Sequence, residues 1–313
     1  MKKDLTKISD LSPADAERLL ERAWSFKRKY DEKVRRENLL DGRVVAMVFE
    51  KASLRTKVSL EVATTYLGGT PIFLSSSQIL ASGGNQQGRE SIPDIGRNLE
   101  RLADLIVARV YSHTTIHQLA TTVRVPVINA LCDQHHPLQA LADIMTVQWH
   151  RKTIRGVKVA FVGDGNNVAT SLLQLCALLG VNCAIATPPE YQLPKGSLDF
   201  IKRWSEKHGS PFTVGTDPTE AVRNADCVYT DTFVSMGQES ERAARLASFA
   251  RYQVNAELMK LAKDDALFMH CLPAHRGEEV TNEVMDSKNS VVFDQAECRL
   301  HVAKAVLASY LGV

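Results

Sequence analysis

The stretch Ser53-Leu54-Arg55-Thr56 follows an apolar run at 44–49 and opens a helical pattern at about 56–67. A strand that stops just before a helix leaves backbone N–H groups aimed forward, and a helix N-terminus favours negative charge. The hydroxyls of Ser53 and Thr56 and the planar fork of Arg55 add donors of the kind a phosphate takes. The same hydroxyls would also serve as an N-cap, so the local pattern admits both uses. No Gly-x-x-x-x-Gly-Lys is present, which sets aside the loop that cradles nucleotide triphosphates.

Four further clusters carry candidate chemistry. Gly163-Asp164-Gly165-Asn166-Asn167 opens a helix, but Val168 breaks the dinucleotide spacing. It reads as a tight strand-to-helix turn, or as asparagines placed to hold a carboxylate or amide of a small ligand. In His136-Pro137-Leu138-Gln139, Pro137 suits the first helical position. His136 and Gln139 then share one face, as structural side chains or as binders of a carbonyl or phosphate. Asp231 begins a segment running to Ser235-Met236-Gly237, either a turn initiated by Asp or an acceptor for an amine. His270-Cys271-Leu272-Pro273, with His275 beyond, lacks regular metal-ligand spacing, and its thiol suits an amine pocket. No G-x-S-x-G elbow is present. The inventory of phosphate binders, an amine acceptor and carboxylate binders points to a transfer between two small bound reactants. Positioning and charge stabilisation would supply most of its rate.

The elements that must position these groups alternate. Short apolar strands at 44–49, 71–74, 105–110 and 127–130 are separated by helical patterns near 56–67, 92–103 and 115–123. A second series has strands at 157–162, 183–186, 212–214, 227–230, 267–270 and 290–293, with helices near 167–179, 197–208, 218–224 and 254–263. Ser12, Pro13 and Asp15 announce a first long helix. This alternation predicts an α/β protein with two doubly wound parallel-sheet domains linked by helices. The series breaks at a helix over about 137–151. Domains are therefore expected at 1–146 and 147–295, with a C-terminal helix at about 296–313 packing back on the first. In open parallel sheets ligands sit beyond the carboxyl ends of the strands. Most of the polar residues above, together with Arg109 and Arg299, lie at such places.

At 313 residues and 44% hydrophobic composition the chain can build two cores. With 38 Lys and Arg against 36 Asp and Glu and no basic run, it gives no case for a nucleic-acid partner. No apolar stretch reaches membrane-spanning length, and the first residues lack a signal-peptide core. The six cysteines form no CxxC pair and fit buried thiols of a cytoplasmic protein.

Taken together, these segments resemble the aspartate/ornithine carbamoyltransferase family over nearly the whole chain. Ser53-Leu54-Arg55-Thr56 is similar to its Ser-Thr-Arg-Thr loop, and His136-Pro137-Leu138-Gln139 to its His-Pro-x-Gln motif. Asp231 with Ser235-Met236-Gly237, and His270-Cys271-Leu272-Pro273, resemble the ornithine branch. The resemblance implies carbamoyl transfer from carbamoyl phosphate to the side-chain amine of L-ornithine, giving L-citrulline and phosphate. It implies that Ser53, Leu54, Arg55 and Thr56 hold the phosphate. Arg109, His136 and Arg299 would polarise the carbamoyl group, with Gln139, Cys271 and Leu272 beside it. Asn167, Ser235 and Met236 would hold the amino-acid end of ornithine, and Asp231 and Cys271 would orient its amines. It further implies that no metal or organic cofactor is needed, and that the chain forms trimers or assemblies of trimers.

Three departures stand out. Leu54 replaces a Thr, which removes a hydroxyl but keeps a backbone N–H. Lys57 replaces an Arg and lacks its bidentate fork. The segment 78–89 is longer than the family's corresponding loop, which lends a side chain to the neighbouring subunit. Asn85, Gln86 or Gln87 could take that part, and Gln86 stands in the middle. Two alternatives follow: a carbamoyltransferase for putrescine or an N-acylated ornithine, and a non-catalytic paralogue.

Overall fold

The computed structural model describes residues 1, 3–75, 90–235 and 237–313. The chain divides into two compact units, Met1–Ala142 with Glu297–Val313, and Asp143–Ala296. Gln86 and Met236, like the rest of 78–89, lie outside the described residues.

The first unit runs α1 (Pro13–Asp31), β1 (Val44–Phe49), α2 (Arg55–Tyr66), β2 (Thr70–Ser75), α3 (Ile92–Leu99), β3 (Leu105–Arg109), α4 (His113–Thr122) and β4 (Val127–Leu131). Its strands pair in parallel in the order β2-β1-β3-β4. The side chains of β3 are buried throughout and those of β1 nearly so, as expected for strands covered on both faces. Leu5 pairs with the outer edge of β4, donating to Val127 O at 3.0 Å and accepting from Asn129 N at 2.8 Å. Ser12 and Asp15 form a reciprocal capping box at the start of α1.

Helix α5 (Pro137–Arg151) leads into the second unit. That unit continues through β5 (Lys158–Val162), α6 (Asn167–Leu178), β6 (Asn182–Ala186), α7 (Lys195–His208), β7 (Phe212–Gly215), α8 (Pro218–Val222) and β8 (Cys227–Tyr229). It then runs through α9 (Arg242–Phe249), α10 (Ala256–Met259), β9 (Leu267–Met269) and α11 (Asn282–Met285), before α12 (Val292–Tyr310). Its strands are parallel in the order β7-β6-β5-β8-β9. Residues 168–178 of α6 are all buried, so that helix needs no polar stripe.

Both sheets reverse direction once. In the first, the chain steps from β1 outward to β2 and returns to β3 on the other side of β1. In the second, it steps from β5 through β6 to β7 and returns to β8 beside β5. Beyond such a reversal the loops from the two central strands diverge and leave a crevice. The residues after β1 and β3 therefore face one crevice, and those after β5 and β8 another.

The sequence reading needs correction here. Residues 290–293 do not make a strand. Ser290 forms a single bridge to Phe268, and the chain turns into α12 at Val292. Phe268 N donates to Asn289 O at 2.9 Å, and Val291 N donates to Phe268 O at 3.0 Å. After these two bonds, buried Val291 and Val292 fill space at the helix start instead of extending the sheet. The helix expected near 254–263 is regular only over Ala256–Met259, and α9 and α11 were not foreseen.

The C-terminal part of α12 is tied to the first unit by charged groups. Lys27 lies 3.4 Å from the Glu297 carboxylate, and Lys304 lies 3.3 Å from that of Glu37. Arg22 donates to Ser309 Oγ at 3.1 Å. The Lys304 ammonium, almost wholly buried, sits 4.3 Å from the centre of the Phe26 ring. These contacts fix the helix that carries Arg299.

Candidate active site

The first crevice begins at the start of α2. Its N-cap residue is Leu54, whose side chain makes no capping bond and is 72% exposed. The hydroxyls of this loop are thus not spent on the helix end. Ser53 and Arg55 are half-buried, and Thr56 points inward with 2% exposure. Thr56 Oγ1 accepts from two guanidiniums, Arg109 Nη1 at 3.2 Å and Arg299 Nη2 at 2.9 Å. Arg109 is the last residue of β3, level with Phe49 of β1 in the sheet register. Arg299 also donates to Gln139 Oε1, and its Nη1 lies 3.3 Å from His136 Nε2.

All five side chains are buried. Each comes from a different place: the first turn of α2, the end of β3, the approach to α5, its first turn, and α12. An arginine can only donate, so His136 Nε2 faces it with a lone pair and the ring proton sits on Nδ1. Burial, then the charges of Arg299 and Arg109, hold the His136 pKa well below the ordinary histidine range. The ring is neutral at pH 7. Lys51 is lowered in the same way, by burial first and Arg109 next. Two fixed cations aimed at one hydroxyl, beside an uncapped helix start, make a site for an anion with several oxygens. Lys57 has a different use: its ammonium lies 3.9 Å from the Phe73 ring centre.

The second crevice has its own cluster. The Asp231 carboxylate, buried just beyond β8, accepts from Asn166 Nδ2 at 2.8 Å and from Cys271 Sγ at 3.2 Å. Asn166 also caps α6, its Oδ1 taking Val168 N at 2.9 Å and Ala169 N at 3.0 Å. Asn166 was read only as one of a pair, and the partner of Asp231 is this first asparagine. Asn167 opens α6 and is half-buried. Gly165 explains the turn: a Cβ there would stand 2.6 Å from Leu193 N and Tyr191 O. Ser235 N donates to Gln238 Oε1 at 3.0 Å, which shapes the loop after Asp231.

Two further groups hold these loops, of which sequence reasoning missed Arg245. Arg245, 3% exposed, donates to the Phe233 carbonyl at 2.6 Å and to the Asp164 carboxylate. It thereby joins the loop after β8 to the turn after β5. Burial raises the Asp164 pKa to about 6 against the pull of Arg245. Beyond β9, His270 N donates to Gln295 Oε1 at 3.0 Å. The Gln295 amide in turn donates to Asp143 Oδ1 at 2.7 Å and Tyr229 Oη at 3.0 Å. Leu272 is half-buried and adopts φ +61°, a left-handed conformation that costs a leucine about 1–2 kcal/mol. Such cost persists where the surroundings over-determine it.

The ligand atoms of Asp231, His270 and Cys271 lie within 4.8 Å of one another, as do those of His275, Glu278 and Glu279. In the first group the Asp231 oxygens already serve Asn166 and Cys271, and the His270 ring is engaged through Nδ1. A metal held by the Cys271 thiolate would end the Cys271–Asp231 bond.

Two family models cover most of the chain. The carbamoyl-P binding domain of aspartate/ornithine carbamoyltransferase matches residues 3–149, and the Asp/Orn binding domain of the same family matches residues 155–310. The ornithine carbamoyltransferase of Pyrococcus horikoshii is 47% identical over 311 residues, covering 99% of this chain and 96% of that protein. That of Bacillus subtilis is 45% identical over 310 residues, covering 99% and 94%. Among solved structures, the ornithine carbamoyltransferase of Pyrococcus furiosus superimposes with a TM-score of 0.92 at 46% identity, covering 97% and 96% of the two chains.

Proposed function

The chain belongs to the aspartate/ornithine carbamoyltransferase family, and on that premise we propose that it transfers the carbamoyl group of carbamoyl phosphate to the side-chain amine of L-ornithine. The products are L-citrulline and phosphate. The observation that carries this reading is the convergence of Arg109 and Arg299 on Thr56, with neutral His136 and Gln139 alongside.

In this reading the first unit takes carbamoyl phosphate. The backbone N–H groups at Ser53 and Leu54, the Arg55 fork and the Thr56 hydroxyl hold the phosphate, which replaces Thr56 as the partner the guanidiniums share. The ornithine amine, once deprotonated, attacks the carbamoyl carbon. Arg109, Arg299 and His136 stabilise the oxyanion that forms, with Gln139 beside them. A neutral imidazole can move its proton between nitrogens and so become a donor to that oxygen. The C–O bond to phosphate then breaks, and the departing phosphate accepts the amine proton.

The second unit takes ornithine. Asp231 and Cys271 orient its amines, while Asn167 and the Ser235–Met236 turn take the amino-acid end. Leu272 adds a backbone contact to the carbamoyl group. Putrescine has no carboxylate and would leave the latter groups unused. Initial rates with carbamoyl phosphate and, in turn, L-ornithine, putrescine and N-acetylornithine test the reading. Ornithine is expected to be carbamoylated fastest at equal concentration. A preference for either other amine, or carbamoyl phosphate binding with no carbamoylated product, would sink it.

The chain acts in the cytoplasm as a homotrimer or an assembly of trimers. No helix among the described residues is long and apolar enough to cross a membrane. Support for association comes from the first unit, where Leu54 and Val58, one turn apart, are 72% and 47% exposed. Light scattering on the eluting peak of a sizing column measures the assembly, and a monomeric mass would reject it.

A further inference from the structure

We propose that Glu279 is a positioning residue for Cys271 and Leu272, acting through the imidazole of His270; the inference rests on the ornithine-site reading above. Glu279 and His270 are both fully buried, with Glu279 Oε1 3.3 Å from His270 Nε2. The same carboxylate oxygen accepts the His275 N–H. On its other side the His270 ring accepts the Leu272 N–H at Nδ1, at 2.8 Å.

These contacts determine where the ring proton sits. A backbone N–H can only donate, so Nδ1 must carry a lone pair. The proton of the neutral ring is then on Nε2, facing a carboxylate that can only accept. Glu279 therefore selects the one tautomer that can hold the Leu272 N–H. That bond braces the left-handed backbone of Leu272. Cys271 lies between the two anchored residues, and its thiol donates to Asp231. The Glu279 carboxylate accepts the His275 N–H, which closes the 270–275 loop, and its charge 3.3 Å from Nε2 favours a proton there without a hydrogen bond between them. Gln at this position would offer an N–H to Nε2 and so admit the opposite tautomer, which sets two N–H groups against each other at Leu272.

The test combines two variants with a spectroscopic readout. In the wild-type protein the imidazole ¹⁵N shifts of His270, assigned by their loss in His270→Asn, are expected to report the Nε2–H tautomer. Glu279→Gln is expected to mix the tautomers and to lower kcat/KM for L-ornithine at least tenfold. In His270→Asn the amide oxygen stands where Nδ1 stood and accepts the Leu272 N–H with no tautomer to choose. Adding Glu279→Gln to that background should change kcat/KM less than twofold. A wild-type His270 found as Nδ1–H or as imidazolium overturns the proposal whether or not the variants fold. So does an equal loss on Glu279→Gln in both backgrounds, the result a merely structural carboxylate would give. A wild-type protein that forms no citrulline would sink the functional reading instead, and the ¹⁵N shifts would still decide this one.

Discussion

Arg299 donates to the hydroxyl of Thr56 at 2.9 Å, although 243 positions separate them in the chain. The same hydroxyl oxygen accepts from Arg109 at 3.2 Å. Two like charges are thereby drawn to one neutral oxygen, an arrangement that an arriving dianion relieves. The resting contacts and the proposed ligand contacts use the same donors.

Thr56→Val removes the shared acceptor while keeping the shape of the side chain. Leaving buried donors unsatisfied costs about 1–3 kcal/mol, so the melting temperature should drop by several degrees. Carbamoyl phosphate affinity, measured by calorimetry, is expected to weaken about tenfold. A variant that binds as tightly as the wild type would show that Thr56 only props the guanidiniums.

Arg55→Ala separates anion binding from helix initiation. Arg55 is half-buried at the first position of α2, and its loss removes a charge-assisted contact worth roughly 1.5–3 kcal/mol. The dissociation constant for carbamoyl phosphate should rise tenfold to a hundredfold, with the far-ultraviolet circular dichroism unchanged. Equal affinity in the two proteins would reduce this loop to a helix start.

Asp231→Asn tests the amine side alone. The carboxylate takes Asn166 and Cys271 together, and an amide cannot accept at both positions. The ornithine KM is expected to rise ten- to a hundredfold, from roughly 1.5–3 kcal/mol of lost interaction. Carbamoyl phosphate affinity should stay within twofold. A change confined to kcat would assign Asp231 to the chemical step and not to holding the substrate.

Acid should destabilise the first unit through two histidines. Burial, then the charge of His113, pushes the His135 pKa down to about 4, and His136 is pushed well below its usual range. Their unfolded counterparts titrate near 6.5, so between pH 6.5 and 4 the unfolded chain binds protons that the folded one refuses. The stability they contribute is complete above pH 6.5 and is lost as pH falls toward 4, about 3 kcal/mol for His135. Urea midpoints from pH 7 to 4.5 should fall less steeply in His135→Phe than in the wild type. Parallel slopes would contradict this.

The residues with local signals were legible before the fold was known. Ser53 to Thr56, Arg109 and Asp231 each follow an apolar run, and His136 and Gln139 flank a proline that starts a helix. Strand order was not legible, because alternation of elements does not say on which side β3 returns to β1. Glu279 and Arg245 were missed for a related reason. No flanking apolar run or spaced motif marks either, and only long-range packing buries them. Residues 290–293 misled because a short apolar run, Val291 to Phe293, suits a strand edge and a helix start equally.

The ribosome delivers the parts of the first unit in an awkward order. Residues 1–142 emerge first, and the closing segment Glu297–Val313 follows only after the whole second unit has been made. Until then the nascent chain can present Thr56 and Arg109 but not Arg299. Pairings across such a separation are slow to form, since a long loop must close before the contact repays it. The proposed donor site is thus late to form: only a chain made through Arg299 sets both cations over the same hydroxyl.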